Sequence, residues 1–536
     1  MMSHDQDDGE LSLETDKLLQ DISEESDVVG RHTDIDKSGT RSWIYDDVLD
    51  YIGLGKYHWI LLLVMGWTNC GDAVEVLCVS FLLPSAECEL RLTSQDKGWL
   101  NASIFLGMMI GGYVWAVFAD MNGRRKTLIS SLVFNAVFGA LSSFARSFEM
   151  LLVLRFLSGI GVGGNIPIAW AYFVEFQPRQ KRGRMLSLMA GFWMIGNVLV
   201  ALLAWAIIPH TDMGHFNAYT YSSWRVFILV CTVPPITSAV LLIFLPESPK
   251  WLLENGKEEQ CLAILAKMYA VNHGTEQGFN VAHVQRSQAI SDISHDTSKM
   301  RHIRSMGRSV LKCRELFTPA LARRTIIYTW VNIALAFGYY GLWMWFPELF
   351  KRLEESGRDD VSVCTSTLAG LNSSGEPDFG DCSEVGGSDE LYINSLLVAA
   401  SSLPGNVIAF AFMDTLGRRW LLAGSMVTCS LLVFFIWFIK NKLQNLILSC
   451  LFSAVSIMAW NSIDVLGTEL FPTGVRATAF GFSLAFARVG AIMGNVVFGQ
   501  LIDVNCTIPI LLVVGFLSVG GLSGLLFPDT IGIFLE

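Results

Sequence analysis

Five ionisable side chains lie inside long apolar runs of this chain: Asp72, Glu75, Arg155, Asp464 and Arg488. A charge at bilayer depth costs about 2.5–3.5 kcal/mol or more, so each is a functional candidate. Asp72 and Glu75 are three residues apart and share one face of a helix. Either carboxylate could pair with Arg155 and neutralise it. A carboxylate in a low dielectric holds its proton more tightly than one in water, so one of the two could carry a coupling proton. Asp464 offers a second anionic site, one helical turn beyond Trp460 in the same run, with Asn461 between them. Trp193, Tyr339, Tyr340 and Trp460 would supply aromatic walls, whose ring faces favour cations. The same residues also have a plainer reading, as a structural acid–base pair and as core aromatics. The glycines at 159, 161, 163 and 164 lie inside an apolar run with no strand before it, which suits close helix packing better than a nucleotide cradle.

The elements that hold these residues follow from length and hydropathy. Of 536 residues, 52% are apolar and only 16% charged, and mean hydropathy is +0.44. That charge content cannot cover the surface of a soluble enzyme of this size. A hydrocarbon core of ~30 Å needs ~20 apolar residues per helix. Twelve such runs are found, near 57–83, 98–119, 127–145, 150–174, 186–208, 224–245, 325–347, 391–413, 420–439, 445–468, 477–500 and 507–527. Each must satisfy its own backbone in lipid, so helices are predicted throughout. Basic residues collect in the loops after runs two, four, eight and ten, whereas 209–223 and 501–506 contain no Lys or Arg. The first set is therefore expected in the cytoplasm, together with both termini.

Residues 1–50 hold 15 acidic and 4 basic side chains, and the remainder of the chain balances at 34 against 34. The acidity thus belongs to an N-terminal tail, expected to be cytoplasmic and disordered. The tail contains Glu14-x-x-x-Leu18-Leu19, an acidic dileucine sorting pattern that would engage sorting adaptors. Segment 246–323 reads as a cytoplasmic connector between a 51–245 bundle and a 324–530 bundle, with short amphipathic helices expected at 250–272 and 310–317. Segment 351–390 reads as an outer or lumenal loop, with Asn372 in a glycosylation pattern and a candidate disulfide between Cys364 and Cys382. Two free thiols are the alternative there. Most other cysteines lie in apolar runs as small hydrophobes.

An internal repeat organises the twelve runs. Asp120-x-x-Gly123-Arg124-Arg125 recurs as Asp414-x-x-Gly417-Arg418-Arg419, and Glu175-x-x-Pro178-x-x-x-Arg182 recurs as Glu469-x-x-Pro472-x-x-x-Arg476. Both pairs, and Gly196 with Gly490, are separated by 294 residues. The chain is read as a doubled six-helix unit. In each copy a carboxylate, a turn glycine and guanidinia stand at helix boundaries, where they can lock one closed state and release it in another. Their predicted role is gating; positive-inside anchoring is the simpler alternative.

These loop motifs, with Arg155-x-Leu157-x-Gly159-x-Gly161-x-Gly163-Gly164-x-x-Pro167 and Pro246-Glu247-Ser248-Pro249-Lys250-Trp251-Leu252, resemble the major facilitator superfamily. Residues 204–210, 337–341 and 460–466 are similar to the synaptic vesicle glycoprotein 2 family and its shorter relatives, and the resemblance spans roughly 45–530. It implies an all-α membrane fold of twelve transmembrane helices, in two six-helix bundles related by a pseudo-two-fold axis. Spans 1, 4, 7 and 10 would line a central cavity, and Arg488 matches a basic position of related organic-ion transporters. The 351–390 loop is too short for the folded lumenal domain of the vertebrate vesicle proteins.

The resemblance implies a monomeric transporter that moves a small organic ion or polar metabolite by alternating access. It would lie in the plasma membrane or a vesicle or endolysosomal membrane. Sugar is less favoured, because span seven reads Phe337-Gly338-Tyr339-Tyr340-Gly341. The other class in play is a vesicle receptor or trafficking protein that keeps the transporter fold without transport. No catalytic constellation argues for an enzyme, and the acidic balance excludes nucleic-acid binding. No cofactor or metal is expected beyond the coupling proton; the expected partners are lipid, a small-molecule substrate and the adaptors.

Overall fold

A computed structural model of the chain describes residues 41–209, 222–275, 278–285, 314–319, 321–355, 389–438 and 441–528, with short strands at 33–35, 215–216 and 219–220. Long helices occupy all twelve apolar runs. They are α2 (Lys56–Leu90), α3 (Ser94–Asn122), α4 (Arg124–Ser142), α5 (Phe148–Val174), α6 (Arg182–Ile207) and the pair α7 (Ser223–Cys231) and α8 (Val233–Ile243) in the first half. The second half holds α11 (Ala322–Trp343), continued by α12 (Phe346–Glu355), then α13 (Asp389–Leu416), α14 (Arg418–Phe438), α15 (Lys442–Leu470), α16 (Thr473–Asn505) and α17 (Thr507–Gly524). Ten of these spans are long and apolar enough to cross a membrane; α4 and α11, with 19 and 22 residues, carry arginine pairs at their starts.

The contacts divide the chain into two compact units, Met1–Leu62 with Ala171–Leu186 and Pro246–Asp296, and Leu63–Trp170 with Ser187–Leu245 and Thr297–Glu536. The first is built on α1 (Tyr45–Ile52), α9 (Pro249–Glu254) and α10 (Glu258–His273). Strand β2 (Arg41–Ile44) pairs antiparallel with β1 (Thr33–Ile35) and parallel with β5 (His283–Gln285). Regular structure is therefore present at Thr33–Ile35 and from Arg41 onward, inside the acidic stretch expected to be disordered up to residue 50. The reason is local: Val48, Leu49 and Ile52 form one apolar face of α1 and are buried. In the connector, α9 and α10 occupy the 250–272 stretch, and Ser248 caps α9 through Trp251 N at 3.1 Å.

The second unit contains both halves of the repeat. Its helices approach each other where glycine replaces a side chain. A Cβ on Gly111 of α3 would strike the Ile160 carbonyl of α5, and one on Gly405 of α13 would strike the Ala454 carbonyl of α15. Both members of this contact are displaced by the same 294 residues as the loop motifs. Gly196 against the Cys70 carbonyl and Gly490 against the Ile333 carbonyl repeat the relation between spans five and one and spans eleven and seven. The turns repeat too. Gly123 and Gly417 have φ of 100° and 84°, a region open to glycine and strained for other residues. The glycine run of span four packs the same way, with Gly159 and Gly163 against carbonyls of α3 and Gly161 against Asn135 of α4.

Gly405→Val is expected to lower the melting temperature in detergent through about 1–3 kcal/mol of overpacking. Gly111→Val should do the same, whereas Gly183→Val, where the added side chain meets open space, should have little effect.

Candidate functional site: buried acids and an aromatic cluster

The intramembrane charges of the first half form a hydrogen-bonded lattice. Glu75 and Arg155 are fully buried, and Arg155 Nη1 donates to Glu75 Oε1 at 2.8 Å. Ser158 Oγ donates to the same oxygen at 2.7 Å and lies 2.8 Å from Asn135 Oδ1. Arg155 Nη1 also reaches Cys78 Sγ at 3.2 Å. Of the two carboxylates one turn apart, Glu75 is the partner of Arg155. Asp72 points to a different group and accepts from Asn165 Nδ2 at 2.8 Å. Its second oxygen, Asp72 Oδ2, is buried with no hydrogen-bond partner. Asp464, on α15, is half-buried and joins neither group.

The aromatic residues converge elsewhere. Tyr339 and Tyr340 of α11 pack on Trp460 of α15, with ring centroids 6.2 and 6.0 Å apart. Phe105 of α3, in the first half, closes on Tyr340 at 4.8 Å. Arg488 of α16 stands over the Phe105 ring at 6.0 Å. Its guanidinium has no ion pair among the described residues. The cluster carries unmatched polar tips: Tyr339 Oη, Trp343 Nε1 and Trp460 Nε1 are buried without hydrogen bonds among the described residues. The Asn197 side chain approaches the Tyr339 hydroxyl from α6, yet Asn197 Oδ1 also lacks a partner. Asn461 donates to Asn406 Oδ1 at 2.7 Å, and Trp193 packs half-buried against the core. Buried polar groups are ordinarily satisfied. A cluster of unsatisfied ones on aromatic walls is what a ligand site requires.

Several contacts of the gating candidates join residues of one half. Asp120 pairs with Arg124 in the first turn, and Arg418 Nε pairs with Glu469 Oε1 at 3.1 Å in the second. Arg125 Nε donates to the Leu242 carbonyl at 2.9 Å, and Arg419 Nη1 to that of Phe527 at 3.2 Å. Each second arginine thus caps carbonyls at the end of the sixth span of its half. Arg476 Nε bonds the Phe471 carbonyl at 3.2 Å. The Asp414 side chain lies outside the described residues.

In the other unit, Glu175 and Arg182 are tied to residues the loop motifs did not reveal. Ser248 Oγ donates to Glu175 Oε2, and Tyr45 Oη to the Glu175 carbonyl at 2.7 Å. Asp46 receives Arg179 at 3.0 Å and Arg182 at 3.1 Å. Burial alone would raise the Asp46 carboxyl, but hydrogen bonds and charge from the two arginines outweigh it and hold it below the ordinary value.

Asn372, Cys364, Cys382, Glu14, Leu18 and Leu19 lie outside the described residues. Cys88, at the end of α2, and Cys506, between α16 and α17, lie just outside the apolar runs and are each disulfide-bonded. The partners Ser158, Asn135 and Asn165 were accessible signals, since each is a polar side chain inside an apolar run. Asp46, Tyr45 and Ser248 gave no such signal, because polar residues are ordinary outside the membrane.

Residues 70–346 and 382–536 match the sugar (and other) transporter family. The chain belongs to that family, within the major facilitator superfamily. It is 34% identical to synaptic vesicle glycoprotein 2C of Mus musculus, over 91% of this chain and 80% of that one. It is 33% identical to synaptic vesicle glycoprotein 2B of Homo sapiens, over 91% and 85%. The partially occluded inward-open xylose transporter XylE from E. coli shares the fold, with TM-score 0.63 and 18% identity over 89% of this chain and all of that one. Family and fold are those of membrane transporters.

Glu75→Gln should strand the Arg155 guanidinium and lower stability by about 3–5 kcal/mol, read as a fall in melting temperature. Glu75→Gln with Arg155→Met should recover most of the loss. Asp46 stabilises its unit at neutral pH and loses that contribution as pH falls through its lowered value. Asp46→Asn is therefore expected to speed limited proteolysis around residues 41–52 at pH 7, through at most about 1 kcal/mol for a part-exposed pair. The difference from the parent should vanish in acid.

Proposed function

We propose that this chain carries a small organic ion or polar metabolite across the membrane by alternating access, with its substrate site at the aromatic cluster of Tyr339, Tyr340 and Trp460. One observation carries the reading: Phe105 of the first half lies between Tyr340 and Arg488 of the second, in a cluster where the indole N–H groups of Trp343 and Trp460 find no partner among the described residues. Any ligand there contacts both halves at once, so it senses their rocking. The free tips of Trp343 and Trp460 can only donate, and Arg488 adds a cation. Within the proposed class this favours substrates rich in acceptor oxygens, organic anions included.

Proton coupling, where present, is better suited to Asp72 than to Glu75. Glu75 is held by Arg155 and Ser158, whereas Asp72 has one unpaired oxygen and a neutral partner. The disulfides of Cys88 and Cys506 support an outward or lumenal position for the helix ends that carry them, since disulfides persist in oxidising compartments. The loops of Gly123 and Gly417 then face the cytoplasm.

Reconstituted liposomes offered metabolite pools should show uptake that Arg488→Gln reduces at least about tenfold. Under an imposed pH gradient, Asp72→Asn should abolish the gradient's effect while leaving downhill exchange intact. Ligand binding without flux in any pool would replace this reading with a receptor.

A further inference from the structure

At the end of the bundle away from the Gly123 turn, six charges form one continuous chain. Lys351 pairs with Glu87, Glu87 with Lys97 at 2.8 Å, and Lys97 with Glu348 at 2.6 Å. Glu348 pairs with Arg352 at 2.9 Å, and Arg352 with Asp503 at 2.8 Å. Lys97 is fully buried and Glu348 is 2% exposed. Four links cross from one half to the other: Lys351 to Glu87 and to the Pro84 carbonyl at 3.1 Å, Lys97 to Glu348, and Arg352 to Ser94 Oγ at 2.7 Å. Beneath them α3 and α16 touch backbone to backbone at Gly98 and Gly499. No space is left there for a solute.

The parts of this chain come from segments whose length exceeds expectation. Helix α2 continues seven residues past 83, which places Glu87 beyond the apolar run. Helix α12 extends to Glu355, where a loop was expected from 351, and carries Glu348 with Lys351 and Arg352 one turn further on. Arg352 follows Glu348 by four residues, one helical turn.

We infer that these six residues are the gate at this end, built so that charge balances in each half separately whether the gate is shut or open. This rests on the alternating-access reading. The first half contributes Glu87 and Lys97, and the second contributes Glu348, Lys351, Arg352 and Asp503. Each set sums to zero. On opening, the four crossing links break, while Glu87–Lys97, Glu348–Arg352 and Arg352–Asp503 remain. The two buried ions, Lys97 and Glu348, each keep a partner, and Lys351, 19% exposed, is left to solvent, so the broken buried pair that is so unfavourable is avoided. The element is therefore bistable, as a switch between two packed states must be.

The test is a cysteine at Asn101, one turn deeper than Lys97 on α3 and buried. Full-length Asn101→Cys protein in right-side-out membrane vesicles is treated with an impermeant maleimide, and its labelling rate is followed. Lys97→Met and Glu348→Gln should each raise that rate about tenfold or more, since each weakens the shut state. The exchange Lys97→Glu with Glu348→Lys separates this design from a simple pair. It restores the crossing link but leaves the first half at −2 and the second at +2, so it should hold the gate shut, label more slowly than the parent and block uptake. Single variants that label no faster than the parent, or an exchange that behaves like the parent, overturn the gate. A parent that never labels, alongside variants that never label, overturns alternating access itself. Melting temperatures of all variants in detergent identify any that fail to fold, and the two single variants act on opposite halves.

Discussion

Hydrocarbon offers a charged side chain neither water nor counterion, so every buried ion in this protein must find its partner on another helix. That constraint couples electrostatics to architecture. Arg155 joins spans one and four because Glu75 is available on span one, and Ser158 and Asn135 extend the connection to span three. The lattice is a crosslink as much as a polar site. Asp72 stands apart, held by a neutral amide and with one oxygen free. The same constraint separates a group that fixes helices from one that can change protonation without disturbing them.

What the sequence made legible depended on whether a residue violated its surroundings. Acids in apolar runs were conspicuous, and so were the paired loop motifs, because a repeat at one offset does not depend on knowing any contact. The helices themselves followed from hydropathy. Which acid would take Arg155 was not decidable, since both lie on one helical face and only the azimuth of span four selects Glu75. The Asp46 contacts and the six-charge chain were hidden for another reason. Their members sit just outside the apolar runs, where charge is unremarkable, and their partners are as far as 267 residues away along the chain. The aromatic cluster was partly readable: Tyr339, Tyr340 and Trp460 were candidates, whereas Phe105 is one of 34 phenylalanines with nothing in its neighbourhood to single it out.

Glycine supplies the complementary half of the design. Where polar pairs hold helices by attraction, glycine contacts let backbones meet, and dispersion between them grows with that proximity. The contacts of Gly111 and Gly405 are kept at the same offset as the turn motifs, so packing and hinge geometry were duplicated together. The capping arginines follow suit: Arg125 and Arg419 each secure the last helix of their own half.

Copying the frame did not copy its polar interior. Moving along the same offset, Asn135, Arg155, Ser158 and Asn165 fall on Cys429, Ser449, Phe452 and Ala459. The four counterparts are all buried, and none is ionised at neutral pH inside an apolar core. The glycine contacts are thus common to both halves, while the hydrogen-bonded lattice around Arg155 belongs to the first alone. A permeating molecule would meet two chemically dissimilar faces on a nearly symmetric frame, and its orientation in transit would be dictated by that lopsidedness.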